Sequence, residues 1–138
     1  MRIGRLGKSI AARFAHRYVD ALTAAFVVEP QSEQPFDDMD YCFDGAAALG
    51  RWQTVTAGNF DTAPTAFRFR CGNNDADLCV ADDEAASLIE RTSRYATLKT
   101  GDVFLMCAPA SFALLPNCRV TATTIGQEPL EVLNVNVK

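Results

Sequence analysis

Closely spaced carboxylates are the side chains in this sequence best suited to chemistry. Asp37, Asp38 and Asp40 lie within four positions, and Asp44 follows shortly after them. Carboxylate oxygens are the ligands that Mg²⁺, Ca²⁺ and Mn²⁺ prefer, so this run could supply ligands to a divalent cation. Carboxylates in a polar segment are more often simply solvated. The sequence alone therefore leaves both interpretations open.

A second acidic group has the spacing of a calcium-binding loop, with Asn73, Asp75 and Asp77 followed by Glu84. The sharp-turn position of such a loop is glycine, but here it is Leu78. A hairpin turn followed by an acidic helix start explains the same residues, because the helix dipole favours carboxylates at that end. We therefore predict a turn and a helix start rather than a calcium site.

Thiol and imidazole chemistry has few residues available. His16 is the only histidine, and no Cys-x-x-Cys pair occurs, so a structural zinc site lacks ligands. We expect His16 on the exposed face of a helix, away from any Ser-His-Asp set. An odd cysteine count without a secretion signal argues against a disulfide framework and favours free thiols used as small hydrophobes. The five cysteines are Cys42, Cys71, Cys79, Cys107 and Cys118.

Composition indicates one globular domain over residues 1–138, since 49% of the 138 residues are hydrophobic and 22% are charged. The formal net charge of −4 provides no overall basic field for nucleic acid. The longest apolar run, Val103–Ala110, is less than half of a membrane span. We therefore expect neither a nucleic-acid nor a membrane partner. The first residues contain no apolar signal-peptide core, which predicts a cytoplasmic protein.

Charge is unevenly distributed along the chain. Residues 1–17 carry five basic side chains and no acidic one, whereas residues 18–44 carry seven acidic side chains and no basic one. We expect the two surfaces to complement each other across the fold or across an oligomer interface. A nucleic-acid arm at residues 1–17 is the alternative, and a lack of interleaved aromatic residues argues against it.

Hydrophobic periodicity predicts an α+β fold with two short helices and about seven strands in a largely antiparallel sheet system. The Glu29–Tyr41 stretch has little periodicity and predicts a mobile loop at about 29–41. In chain order, the remaining pattern predicts a helix over 10–22 capped by Ser9, strands at 24–28 and 51–56, a hairpin of 67–71 with 76–80, a helix beginning at Asp82 or Asp83, and strands at 103–107, 118–124 and 130–137.

Part of the chain is similar to a known family. The segments in question are Asp83-Glu84, Ser93-Arg-Tyr-Ala-Thr-Leu-Lys-Thr-Gly-Asp-Val-Phe104 and Ala108-Pro109. Their order resembles the end of the catalytic domain of the fumarylacetoacetate hydrolase family. That domain has an acidic helix start, a Ser-x-aromatic-x-Thr-Leu-Lys-x-Gly-Asp segment and an apolar strand. Phe43-Asp44-Gly45, with Leu49-Gly50, resembles a further segment of the same family.

The resemblance, which Ile3–Ile10 and Phe14–Tyr18 extend towards the start of the chain, implies a mixed, largely antiparallel β-sandwich or roll. It also implies a homodimer or other homo-oligomer. For active members it implies hydrolysis of a carbon–carbon bond in a β-diketone acid, or related decarboxylase or isomerase chemistry. A divalent ion, Mg²⁺ or sometimes Ca²⁺ or Mn²⁺, there chelates substrate oxygens as a Lewis acid.

The sequence departs from the family pattern where the chemistry would lie. The aspartate that is the family's third metal ligand matches Val27, and the lysine before Phe-Asp matches Tyr41. The Thr-Gly-Thr-Pro segment matches Met106–Pro109, and the Glu-x-Glu metal pair would fall before Met1. We therefore expect a vestigial cleft whose positions are Val27, Tyr41, Phe43, Asp44, Ala108 and Pro109.

Three functional hypotheses follow from these departures. The first is a catalytically degenerate, self-associating binding or structural protein without a cofactor. The alternative is a hydrolase or isomerase of keto-acid substrates, with a rebuilt Mg²⁺, Ca²⁺ or Mn²⁺ site drawn from Asp37, Asp38, Asp40 or Asp44. The third is a module that binds a small keto-acid-like ligand in the old cleft without a metal.

Overall fold

A computed structural model describes residues 1–28, 42–55, 66–79, 82–106, 113–126 and 128–137 of the protein. The predicted mobile loop at 29–41 lies outside these ranges. Within them, one 3-10 helix (Ala12–Arg17) and one α-helix, α1 (Asp82–Tyr95), accompany nine strands. The strands are β1 (Arg2–Ile3), β2 (Val19–Leu22), β3 (Ala25–Val27), β4 (Ala47–Leu49), β5 (Gln53–Thr54), β6 (Ala66–Cys71), β7 (Asn74–Cys79), β8 (Arg119–Thr124) and β9 (Glu131–Asn136).

The first sheet has the strand order β1-β2-β5, and both of its strand pairs are antiparallel. It shares a buried cluster, here called cluster 1, with the two helices. Helix α1 contributes Ala85 and Ile89, which are four residues apart and therefore lie on one helical face. The sheet contributes Ile3, Val19 and Leu22. The apolar stripe of α1 thus packs in one cluster with this small sheet and with the 3-10 helix, which α1 contacts directly.

The second sheet has the strand order β7-β6-β8-β9, with every neighbouring pair antiparallel. Its β6–β7 hairpin turns through two residues, since Cys71 pairs with Asn74. Phe67, Phe69 and Cys71 of β6 are buried, whereas the two arginines between them are exposed. This alternation confirms the prediction from residues 67–71 that one face of the strand lies on a core. We call that core, which also contains Val120 and Leu133, cluster 2.

The solvent face of the hairpin carries two cross-strand ion pairs. Arg68 is directly opposite Asp77, and its Nε donates to the carboxylate at 2.7 Å. Arg70 is directly opposite Asp75, and its Nε donates to that carboxylate at 2.9 Å. In each pair the second guanidinium nitrogen contacts the other carboxylate oxygen. The two acids of the former calcium-loop candidate are thus the partners of the arginines on β6.

These ion pairs predict a loss of stability in acid. Hydrogen bonds from Arg70 and Arg68 lower the pKa of Asp75 and Asp77, respectively, below the ordinary value of 3.8. The folded state therefore holds fewer protons than the unfolded state, so the stabilisation is complete above the unfolded pKa and is lost as the pH falls through the folded pKa. Urea unfolding across this acid range measures the effect. The double variant Asp75→Asn/Asp77→Asn should show a flatter pH dependence, and an unchanged dependence would contradict the assignment.

The N-terminal helix predicted over 10–22 was partly wrong. The structure has a six-residue 3-10 helix at Ala12–Arg17, and Val19–Leu22 pairs with β1 and β5 as strand β2. Val19 and Ala21 point into the core, whereas Asp20 between them pairs with Arg2. A short run such as Val19–Leu22 fits both helical and strand periods, and the pairing with distant β1 and β5 decided the outcome.

The strand predicted at 103–107 was also wrong in its described part. Val103 forms only an isolated bridge with Arg2. Phe104 then exchanges hydrogen bonds with Met1, whose amino group donates to the Phe104 carbonyl at 2.8 Å. Because β1 is two residues long, it offers too short an edge to extend this pairing into a ladder. Cys107 lies outside the described residues.

The other predicted elements were confirmed with shifted ends. Strand β3 replaces 24–28, β5 covers two residues of 51–56, and the hairpin, α1, β8 and β9 lie where the pattern placed them. The class is α+β with antiparallel sheets and two helices. Among the described residues, neither helix has the length and apolar character needed to cross a membrane.

Candidate functional site

Val27 and the segment containing Phe43 and Asp44 meet at one end of a two-stranded sheet. Strands β3 and β4 pair antiparallel, with Val27 opposite Ala47. The pairing continues past the strand ends, since the Val28 amide donates to the Ala46 carbonyl at 2.7 Å. The structure therefore brings together three of the six predicted cleft positions. The remaining three, Tyr41, Ala108 and Pro109, lie outside the described residues.

The Phe43–Ala46 segment is a tight turn. The amide of Ala46 donates to the Phe43 carbonyl at 3.0 Å, and Gly45 has a φ of 86°. A positive φ confined to the third residue is the pattern of a type II turn, which favours glycine at that position. Asp44 occupies the second position with an exposed side chain. The Phe-Asp-Gly residues of the resemblance thus reverse the chain before strand β4.

This turn predicts different outcomes for two neighbouring substitutions. Gly45→Ala should lower the free energy of unfolding by about 1 kcal/mol, because alanine is strained at this positive φ. Asp44→Asn should change it by less than about 0.5 kcal/mol, because the exposed side chain makes no structural contact there. Urea unfolding of both variants measures the difference. Equal losses for the two would contradict the turn assignment.

The Leu98–Asp102 segment forms a second turn of the same kind. The Asp102 amide donates to the Lys99 carbonyl at 3.1 Å, and Gly101 has a φ of 95°. The Asp102 carboxylate closes the turn by accepting a hydrogen bond from the Lys99 amide at 2.7 Å. The most specific part of the resemblance, Leu-Lys-x-Gly-Asp, therefore has a structural role in this chain.

The second turn also fixes the start of the chain. The amide of Ile3 donates to the Asp102 carbonyl at 2.8 Å, and the Gly101 amide donates to the Ile3 carbonyl at 2.7 Å. Gly7 and Leu98 exchange two further backbone hydrogen bonds. These contacts position the buried Ile3 and Leu98 side chains in cluster 1. Backbone hydrogen bonds from residues 98–102 thus hold residues 3–7 in place.

Ser93 links helix α1 to the same N-terminal segment. Its hydroxyl accepts a hydrogen bond from the Ile10 amide at 2.9 Å and donates to the Glu90 carbonyl at 3.1 Å. Its own carbonyl accepts from the Ser9 amide at 2.8 Å. The side chain is 0% exposed, so water does not replace these partners. In the sequence, Ser93 stands out only as part of the family resemblance. Nothing in the residues around it indicates that its hydroxyl is buried and hydrogen-bonded.

Removing this hydroxyl should destabilise the fold. Ser93→Ala leaves the buried Ile10 amide without an acceptor, and we expect a loss of about 2 kcal/mol in the free energy of unfolding. Ser87→Ala in the same helix is the matched control, because Ser87 is exposed and alanine favours helix. Urea unfolding of both variants tests the prediction. If Ser93→Ala were as stable as Ser87→Ala, the linking role would be refuted.

The carboxylates proposed as metal ligands are only partly described. Asp44 is exposed at its turn, whereas Asp37, Asp38 and Asp40 lie outside the described residues. Across the ranges that are described, no three histidine, cysteine or carboxylate side chains are grouped closely enough to hold a metal ion. His16 lies in the 3-10 helix and is half-buried rather than exposed, which corrects the expected placement.

The basic N-terminal region carries an aromatic contact that the sequence interpretation overlooked. The guanidinium carbons of Arg13 and Arg17 lie 4.7 and 4.9 Å from the centroid of the Phe14 ring. These are cation–π distances, so Phe14 is interleaved with two cations. Arg2 instead pairs with Asp20 at 2.8 Å and lies over Trp52. The Arg2–Asp20 pair confirms, for one contact, the expected complementarity between the basic and acidic segments.

The two described segments that carry the resemblance are thus separate glycine-containing turns on an α+β scaffold of antiparallel sheets. Comparison with protein-family models, with curated proteins and with solved structures finds no match. The likeness to the fumarylacetoacetate hydrolase family accordingly rests on the sequence segments described above.

Proposed function

We propose that this chain is a catalytically degenerate protein of the fumarylacetoacetate hydrolase fold, with a β-sandwich or roll architecture, that self-associates and serves as a binding or structural protein in the cytoplasm. The observation that carries the proposal is that the two segments most similar to the family serve as turns in this chain. Phe43–Ala46 and Lys99–Asp102 are turns whose polar groups are engaged with the backbone or exposed to solvent.

Residue chemistry at the cleft positions supports the loss of catalysis. A hard cation needs several oxygen ligands that converge on one point. Val27 stands where the family has a ligand aspartate, and its side chain offers no oxygen. Strand β3 ends near the Phe43–Ala46 turn, in which the Asp44 carboxylate is exposed. Tyr41 replaces a lysine of the resemblance, which removes the ammonium charge, and Ala108 replaces a threonine, which removes its hydroxyl.

Exposed apolar side chains support self-association. Tyr95 is 86% exposed at the end of α1, and Leu6 is 66% exposed. The two side chains belong to segments joined by the paired hydrogen bonds of Gly7 and Leu98. Contiguous exposed apolar surface marks protein–protein contacts, so Leu6 and Tyr95 are the side chains at which self-association is to be tested. A second copy of the chain is the partner that the family resemblance implies.

A metal-binding experiment tests the proposed loss of the site. Thermal unfolding of the wild-type chain should show no metal-specific rise in midpoint when Mg²⁺ or Mn²⁺ is added at matched ionic strength, and an acylpyruvate should not be cleaved. Asp44→Asn is the matched variant. A midpoint that rises with metal in the wild-type chain but not in Asp44→Asn, or metal-dependent cleavage, would establish the alternative enzyme with a rebuilt site.

Light scattering after size exclusion tests self-association. We expect the wild-type chain to elute with at least twice the monomer mass. The variant Leu6→Lys/Tyr95→Lys should have the monomer mass with an unchanged circular dichroism spectrum. A wild-type monomer over the accessible concentration range would refute this part of the proposal. An acylpyruvate that raises the midpoint without metal would instead favour the binding-module hypothesis.

A further inference from the structure

Two thiols face each other at the edge of cluster 2. The Sγ atoms of Cys71 and Cys118 are 3.9 Å apart, and both residues have free thiols. Cys71 is 4% exposed at the end of β6, whereas Cys118 is half-buried just before β8. Both side chains pack in cluster 2, as expected for cysteines used as small hydrophobes. Their proximity is an additional property that packing alone does not require.

The sheet register brings the two thiols together. Cys71 pairs with Val120 across β6 and β8, and Cys118 precedes Val120 by two residues, which places it on the same face. The Cys118 carbonyl accepts a hydrogen bond from the Val137 amide at 2.8 Å, so the β8–β9 pairing extends to this residue. The backbone is therefore fixed on both sides of the sulfur pair.

We propose that Cys71 and Cys118 form an oxidative modification site, in which a hydroperoxide converts the two thiols into one disulfide. This inference is independent of the proposed function above. In the first step Cys118 gives up its thiol proton, its sulfur attacks hydrogen peroxide and the O–O bond breaks, which yields Cys118 sulfenic acid and one water. In the second step the Cys71 sulfur displaces the sulfenic oxygen, which leaves as a second water. The two thiols thus lose two electrons and two protons to the peroxide.

The two thiols differ in burial, and this difference indicates which of them reacts with peroxide first. Cys118 is the more accessible sulfur and meets the oxidant first. Burial, together with the hydrogen bond and charge of Cys118, raises the pKa of Cys71, so this thiol reacts slowly with external oxidants on its own. It is nevertheless in contact with any sulfenic acid formed on Cys118. Side-chain rotation must bring the sulfurs together by about 1.9 Å to reach bonding distance.

Peroxide oxidation of the folded wild-type chain tests the site. After alkylation, digestion before Asp75 and after Phe112 separates Cys71 and Cys118 from Cys79 and Cys107, so mass spectrometry identifies each linkage. We expect a peptide linked through Cys71 and Cys118. Because the fold holds the thiols in contact, Cys71–Cys118 should be the dominant linkage in the native chain, whereas the urea-unfolded chain should give a mixture of linkages. The same mixture in both chains, or another dominant linkage in the native chain, would overturn the proposal.

Single variants test the order of the steps. Cys71→Ala should leave a sulfenic acid on Cys118 that dimedone traps, because the second thiol is missing. Cys118→Ala should protect Cys71 from peroxide in the folded chain. The control is Cys42→Ser, which replaces an exposed cysteine and should leave the Cys71–Cys118 linkage unchanged. Over-oxidation of Cys118 in the wild-type chain without any disulfide would refute the role of Cys71. Because the native-against-urea comparison uses the wild-type chain alone, the proposal stays testable if a variant fails to fold.

Discussion

Gly50→Ala is expected to lower the free energy of unfolding by about 3 kcal/mol, because the new methyl group has no space. A Cβ on Gly50 would overlap the carbonyl oxygen of Val132, which is a backbone atom of strand β9 and cannot rotate away. It would also meet the Thr23 hydroxyl oxygen at 3.0 Å. Relief therefore requires movement of the backbone rather than of a flexible side chain.

The position of Gly50 makes this movement costly. Its amide donates to the Ala24 carbonyl at 2.9 Å, and the next amide, that of Arg51, donates to the Val132 carbonyl. Ala24 belongs to cluster 2, whereas Leu22 two residues earlier belongs to cluster 1. Gly50 thus lies where the chain passes between the two buried clusters. A shift here disturbs the hydrogen bonds that join β3, β4 and β9.

Urea unfolding of Gly50→Ala measures the loss. Gly126→Ala is the matched control, because a Cβ on Gly126 meets no atom within 4 Å and its backbone φ is not in the left-handed region. We expect the control to stay within about 0.5 kcal/mol of the wild-type chain. Similar stability of the two variants would show that β9 does not approach Gly50 as closely as described.

Local patterns were sufficient where pairing partners are close in sequence. The alternation of Phe67 and Phe69 with the arginines between them predicts both the hairpin and its buried face, because β6 and β7 are joined by a two-residue turn. Helix α1 likewise has its stripe and acidic start within one continuous segment. In both cases the residues that determine the element lie inside the element.

Distant pairing explains the failures. Val19–Leu22 is a strand because β1 and β5 pair with it on either side. Even β1, the nearer of these two strands along the chain, is separated from Val19–Leu22 by the 3-10 helix. Residues 103–106 lack a ladder because their neighbour β1 is short. Neither outcome is encoded in the periodicity of the segment itself, where small and apolar residues fit more than one secondary structure.

The sequence identified the segments of the candidate site but did not indicate their structural role. The segments around Phe43 and Leu98 were identified from their residue types, and the structure places both at tight turns. Their common feature is glycine at a positive φ, at Gly45 and Gly101, and the sequence shows the glycine but not its φ. The contact of Asp102 with the Lys99 amide is local to its turn, whereas the contact of Ser93 with the Ile10 amide joins segments 83 residues apart, whose approach depends on the whole fold.

The largest single loss is expected for Ile89→Ala, at about 4 kcal/mol in the free energy of unfolding. Ile89 is 0% exposed and belongs to cluster 1, which also contains residues of β1, β2 and the 3-10 helix. Alanine is the best helix former, so the substitution preserves α1 and removes only buried volume. The loss combines the transfer energy of the deleted methyl and methylene groups with the cavity left behind.

Leu88→Ala is the graded control for this prediction, because it removes a side chain of the same size from the adjacent, half-buried position of α1. We expect it to cost less than half as much, since part of the leucine already contacts water in the folded state. Trp52 is the only tryptophan and follows Gly50-Arg51 at the passage between the two clusters, so its fluorescence reports unfolding there. Far-ultraviolet circular dichroism instead reports the three described sheets and α1 together. If clusters 1 and 2 unfold as one unit, the two signals should shift together in Ile89→Ala. Two separate transitions in these signals would instead mean that clusters 1 and 2 unfold independently of each other.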